Sequence, residues 1–152
     1  NVDNPQKMVN RLNLIQKSVK GHKIIFPIHP RTKKNLEKSG IKFENIIFVE
    51  PLPYLEFIYL IKNSKGIITD SGGITEEATI LNIPCITLRN STERPETVIL
   101  GTNVLVGDDD GTLQLMLQKI LDNNWKEGKI PELWDGKTSK RIVKVLSDLK
   151  YI

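Results

Sequence analysis

Thr69-Asp70-Ser71-Gly72-Gly73-Ile74-Thr75-Glu76-Glu77-Ala78 (TDSGGITEEA) puts a hydroxyl, two adjacent glycines and two adjacent glutamates in one short stretch. Gly66-Ile67-Ile68 runs directly into it and Thr79-Ile80-Leu81 directly out of it. A polar turn between two segments of core-like composition reads as a strand that stops, turns and reopens as a helix. The junction is then Lys65–Thr69 as strand and Gly73–Leu81 as helix.

The same alternation extends in both directions. Toward the N-terminus, Asp3–Lys20 carries Met8, Val9, Leu12, Ile15 and Val19 at helical spacing, with Asp3 or Asn4 as cap, Pro5 in the first turn and Gly21 as the stop. Lys23–Ile28 reads as a strand, His29-Pro30 as a loop and Thr32–Ser39 as a helix ended by Gly40. Asn45–Val49 is a strand and Pro53–Asn63 a helix. Beyond the junction follow strand Pro84–Leu88, short helix Pro95–Leu100, strand Asn103–Val106, amphipathic helix Thr112–Asn123 and a last helix Ser139–Leu149. Short apolar strands alternating with helices predict an α/β fold with a doubly wound parallel sheet, as one domain over residues 1–152.

Composition bounds the function. The chain has 152 residues, 39% hydrophobic and 26% charged, with a net charge of +4. Its lysines are spread out and no aromatics interleave with them, which argues against a nucleic-acid face. A lone cysteine, Cys85, excludes an internal disulfide and lies in an apolar run, as a buried structural thiol does. No apolar segment is long enough to span a membrane and no signal peptide is visible, so the expected compartment is the cytoplasm. The two histidines, His22 and His29, lack the spacing of metal ligands, and no metal or cofactor is expected. The chain opens on Asn1-Val2-Asp3 without methionine and reads as a fragment.

In a parallel α/β sheet, ligands bind beyond the carboxyl ends of the strands. That rule selects His29-Pro30-Arg31, Glu50-Pro51-Leu52-Pro53, Asp70-Ser71-Gly72-Gly73 and Arg89-Asn90-Ser91-Thr92-Glu93-Arg94. Asp70–Gly73 is either a tight capped turn or an anion cradle of helix N–H groups, with Ser71 as a further donor. Glu76 and Glu77 suit the positive end of the helix dipole in any case, and point about 100° apart. One of them can therefore turn a carboxylate toward the two hydroxyls of a ribose. Arg94 either bridges phosphate oxygens or pairs with Glu93 or Glu96. Phe57 is either core or the flank of a planar base. No catalytic acid–base pair is found in the chain.

Thr69–Ala78, Pro84 before a strand, and Arg89-Asn90-Ser91-Thr92-Glu93-Arg94-Pro95-Glu96 together resemble the C-terminal half of the UDP-N-acetylglucosamine 2-epimerases. Pro51-Leu52-Pro53-Tyr54-Leu55-Glu56-Phe57, Gly101–Gly107 and Ser139-Lys140-Arg141-Ile142 are similar to further segments of that family, so the resemblance covers essentially the whole chain. It implies one Rossmann-like half of a two-domain GT-B enzyme, with UDP or UDP-GlcNAc in the cleft and the N-terminal catalytic domain outside this chain. On that resemblance Ser71 and Gly72 bind the diphosphate, Gly73 shapes the turn, Glu77 holds the ribose, Arg94 contacts the nucleotide and Phe57 lies beside uracil. His29 matches a loop lining an allosteric site in some members. The implied reaction interconverts UDP-GlcNAc and UDP-ManNAc by elimination and re-addition of UDP, in a homodimer, with the fragment alone inactive. The alternatives are a hydrolysing epimerase, a GT-B glycosyltransferase domain or a non-catalytic nucleotide-binding module.

Overall fold

The computed structural model describes residues 5–38 and 40–149. The element order is α1 (Pro5–Ser18), β1 (Ile24–Pro27), α2 (Pro30–Lys38), β2 (Ile46–Val49), α3 (Tyr54–Lys62), β3 (Ile67–Thr69), α4 (Gly72–Leu81), β4 (Cys85–Thr87), α5 (Pro95–Ile99), β5 (Asn103–Leu105), α6 (Asp110–Leu121) and α7 (Thr138–Asp148). Every element expected from the sequence is present, with ends that move by a few residues. α2 starts at Pro30 and not at Thr32, since proline's fixed φ and missing N–H suit a first helical position. The proposed caps Asp3 and Asn4, and Ser39, lie outside the described residues.

All strand pairs are parallel. β1 pairs with β2, Ile24 against Ile46. β4 pairs on one side with β3, Ile67 against Cys85, and on the other with β5, Cys85 against Asn103. The strands form two sheets, β1-β2 and β3-β4-β5, where a single continuous sheet was the simplest expectation. Residues of β1 and β3 line a common, mainly apolar cavity of about 670 Å³. What ties the two sheets together is packing. The stripe of α1 places Val9 and Leu12 with Ile28, Leu36 and Ile46 in one core cluster, and Ile15, followed by Val19 just past the helix end, with Ile86, Leu113, Leu117 and Ile120 in the other. Ile24 of β1 touches both clusters.

Polar anchors reinforce this. Arg11 on α1, nearly covered, donates to the carbonyl of Gly107 at 3.2 Å and pairs with Asp110 at 3.2 Å and Asp108 at 3.5 Å. Gly107 itself has φ +53, and a Cβ there would sit 1.8 Å from Oδ1 of Asn90. α4 closes on Asn82 in the left-handed region, φ 55, whose N–H reaches the carbonyls of Ala78 and Thr79. Cys85 is fully buried, as expected, and desolvation pushes its thiol up to about 12.

The last helix stands apart. α7 buries no residue, and Ile142, Val143, Val145, Leu146 and Leu149 are all exposed. Arg141 ties it to the preceding loop, pairing with Asp135 and donating to the Leu133 carbonyl at 3.4 Å.

Candidate functional site

The parallel order β3-β4-β5 brings three carboxyl ends to one side of a sheet. The loops leaving them supply Asp70, Arg89, Asn90, Ser91, Glu93 and Asp108 to an open cavity of about 480 Å³. The start of α4 lies at this end of the sheet. Ser71 is its N-cap residue, extended at φ −96 and ψ 131, yet the Ser71 side chain makes no capping bond. Its own N–H donates instead to Oγ1 of Thr69 at 3.0 Å. α6 shows the contrast: there the Asp109 carboxylate accepts from the Thr112 N–H at 3.0 Å and closes the helix end within the protein. The carboxyl of Asp109 is held below the usual carboxylate range by those Thr112 bonds. The first turn of α4 has no such closure from Ser71.

Gly72 and Gly73 begin the helix, and neither has a positive φ. The turn therefore does not draw on glycine's access to the left-handed region. Nor does packing demand a glycine. A Cβ on Gly72 would stand 3.5 Å from Oε2 of Glu93, an ordinary contact, and one on Gly73 would meet nothing within 4 Å. Neither a left-handed backbone nor a crowded neighbour accounts for the pair.

The paired acids divide their work between two neighbours. Oε1 of Glu76 accepts from Nε of Arg94 at 2.7 Å. Oε1 of Glu77 accepts from the Tyr54 hydroxyl on α3 at 2.9 Å, a bond that raises the phenol above its ordinary range. The sequence had suggested Glu93 or Glu96 as the partner of Arg94. Glu93 pairs with Arg89 at 3.2 Å instead, and Arg94, at φ −127 and ψ 66 just ahead of α5, reaches across to α4.

The backbone of Arg94 is held as firmly. Its N–H donates to Oγ1 of Thr92 at 3.1 Å, and its carbonyl accepts from Oγ1 of Thr97 at 2.8 Å. Thr97 in turn accepts from Nδ2 of Asn103 at 3.1 Å, and Oδ1 of Asn103 accepts from the Thr87 hydroxyl at 2.6 Å. Thr87, Thr97 and Asn103 are all buried. This relay runs from the middle of the sheet to the backbone of Arg94. Sequence reasoning did not find it, and its one trace there is an asparagine leading an otherwise apolar strand.

Phe57 is half-buried and lines the larger cavity together with Asp70, Ser71, Ile74 and His29. The structure thus gathers Phe57, Ser71 and His29 around one space, whereas Glu77, bound to Tyr54 of α3, and Arg94, bound to Glu76 of α4, line neither cavity. No cluster of three or more His, Cys, Asp or Glu side chains among the described residues could hold a metal ion. No helix among them is long and apolar enough to cross a membrane.

A domain of parallel strands alternating with helices has the Rossmann-like α/β architecture. The chain belongs to the UDP-N-acetylglucosamine 2-epimerase family, whose family model matches residues 1–147. The UDP-N-acetylglucosamine 2-epimerase of Methanocaldococcus jannaschii is 44% identical over 99% of this chain and 43% of its own length. The crystal structure of that archaeal epimerase in complex with UDP-GlcNAc and UDP superposes with a TM-score of 0.80 at 44% identity, over 97% of this chain and 42% of that one. A UDP-2,3-diacetamido-2,3-dideoxy-D-glucuronate 2-epimerase of Pseudomonas aeruginosa is 42% identical over 70% of this chain and 30% of its own length. The chain therefore spans well under half the length of these relatives.

Proposed function

We propose that this chain is the UDP-binding half of a two-domain, GT-B enzyme that inverts C2 of a UDP-linked 2-acetamido sugar, UDP-GlcNAc being the first candidate. The observation that carries the reading is the Gly72-Gly73 start of α4, which neither backbone conformation nor packing explains and which Ser71 leaves uncapped. N–H groups there, with the helix dipole behind them, suit a diphosphate. The Ser71 hydroxyl adds a donor. Arg94 supplies positive charge from the next loop, Glu77 accepts from ribose hydroxyls, and Phe57 flanks the uracil. The M. jannaschii relative, crystallised with UDP-GlcNAc and UDP, supports this assignment.

The reaction is elimination of UDP from the sugar and its re-addition after protonation of the opposite face at C2. It needs a base at C2 and donors for the charge that develops on departing UDP. The residues of this half serve the second requirement: they hold the leaving group in place through both steps. The base belongs to the other half of the relatives' length, and the chain on its own is expected to bind UDP and not to epimerise. The exposed apolar face of α7 is where contact with that other half buries surface. The whole enzyme is expected to be a cytoplasmic homodimer, and His29 to lie near a second, regulatory nucleotide-sugar site.

Titration of the chain with UDP and UDP-GlcNAc, followed by amide NMR, tests the reading. Saturable shifts from Ser71 to Glu77 that are lost in Glu77→Ala are expected. A folded chain with no shifts at millimolar ligand would refute it.

A further inference from the structure

Resting on that reading of Arg94, we infer that Glu76 is a positioning residue: it fixes the Arg94 guanidinium in the orientation that presents its two terminal nitrogens to a diphosphate. Glu76 takes the Nε–H of Arg94 at 2.7 Å and leaves both Nη groups without a partner among the described residues. An arginine grips a phosphate bidentately through parallel N–H bonds, and the Nη pair is one edge that can do so. Held by Nε, the guanidinium keeps that edge free.

The rest of the residue is already immobile. Its N–H is bound to Thr92, its carbonyl to Thr97, and Thr97 is secured through Asn103 and Thr87 in the core. The remaining freedom lies in the long side chain, half-exposed at 49%. Glu76 removes that freedom before any ligand arrives, so that part of the ordering cost is absent from binding. A stabilising role explains the pair poorly, because ion pairs this exposed add little to folding. The carboxylate also sits several residues into α4, past the first turn where the dipole favours an acid most.

The adjacent acids then have separate assignments: Glu77 faces the ribose, with Tyr54 beside it, and Glu76 faces the arginine. Neither can take the other's place, because consecutive helical residues diverge by about 100°.

The test compares UDP with uridine on the intact chain by NMR titration, with Arg94 Nε–H recorded in the same spectra. In the ligand-free protein that Nε–H resonance is expected to be slowed in exchange, and to lose its protection in Glu76→Ala. Glu76→Ala is expected to weaken UDP on the order of tenfold, the scale of one charge-assisted hydrogen bond, and to leave uridine unchanged. Glu76→Gln, which keeps an acceptor for Nε, is expected to restore UDP binding to within about threefold of the parent chain. Adding Glu76→Ala to Arg94→Ala is expected to cost nothing further. Equal weakening of UDP and uridine, or tighter UDP binding in Glu76→Ala, overturns the inference. UDP binding that survives Arg94→Ala overturns the prior reading of Arg94 instead, so the two failures are distinguishable.

Discussion

Replacing Asn103 with leucine is expected to destabilise the chain by about 2–4 kcal/mol, although both side chains have similar volume. Asn103 is fully buried and serves two hydroxyls: it accepts from Thr87 at 2.6 Å and donates to Thr97 at 3.1 Å. Leucine does neither. Thr97 retains its bond to the Arg94 carbonyl at 2.8 Å, but the Thr87 hydroxyl, itself buried, loses Oδ1 of Asn103 as its acceptor. A buried donor left unmade costs about 1–3 kcal/mol, and imperfect packing of the branched side chain adds the rest. Thr87→Val alone strands the other end of the same bond. Combined with Asn103→Leu it removes both partners, and the double variant should recover at least about 1 kcal/mol of the summed losses. Urea unfolding followed by circular dichroism reads this as a midpoint lowered by about 1–2 M for Asn103→Leu at unchanged slope. A single-variant cost under about 0.5 kcal/mol, or losses that simply add in the double variant, would show that the relay is not a coupled network.

Cys85, with its thiol pushed up to about 12, should resist iodoacetamide at pH 8 in the native chain and react promptly in urea. Because its folded value lies above the ordinary 9.0, the stability it contributes is intact below pH 9 and drains away between 9 and 12. The Tyr54 phenol is raised chiefly by its bond to Glu77, so absorbance titration should find one tyrosine ionising later than the ordinary 10.0. Glu77→Gln should abolish that lag, and its absence from the parent chain would disprove the contact. The contribution of this bond to folding is lost only as pH climbs above that ordinary value. Gly107→Ala should cost about 1–2 kcal/mol through its left-handed backbone, with the displaced Asn90 side chain visible as shifted amides from Arg89 to Glu93. An unchanged urea midpoint would contradict the φ of +53.

The alternation of elements was legible because each strand is a short apolar run bounded by Gly, Pro or Asp and each helix carries its own stripe. Those are local signals. The motif at Thr69–Ala78 also located the start of α4 to within a residue. Partners remote in the chain were not legible. Along the sequence Arg94 either bridges phosphate oxygens or pairs with its neighbours Glu93 or Glu96, and no spacing names a more distant acid. The residue is in fact non-helical at φ −127, which aims it at Glu76 on another helix. Tyr54 and Glu77 meet across the α3–α4 packing for the same reason: contact depends on how two helices lie against one sheet, and no spacing encodes that. The glycine pair admits two readings in sequence, a tight capped turn or an anion cradle, and the backbone angles and the empty space above Gly73 weigh against a turn that needs glycine. The interruption between β1 and β3 has no counterpart in the sequence, since both strands read as equally apolar.

α1 contributes side chains to two cores at once, Val9 and Leu12 to one and Ile15 to the other, and Arg11 rivets it between them to the loop after β5. Mechanically it is a strut. With no ladder bonds joining the two sheets, this stripe of side chains, together with Arg11 and Ile24, carries load between them. The helix cannot slide along its axis to relieve one core without loosening the other. Amide exchange in β1 and in β4 should therefore rise together when α1 is weakened, so that a chain with two sheets melts as one body.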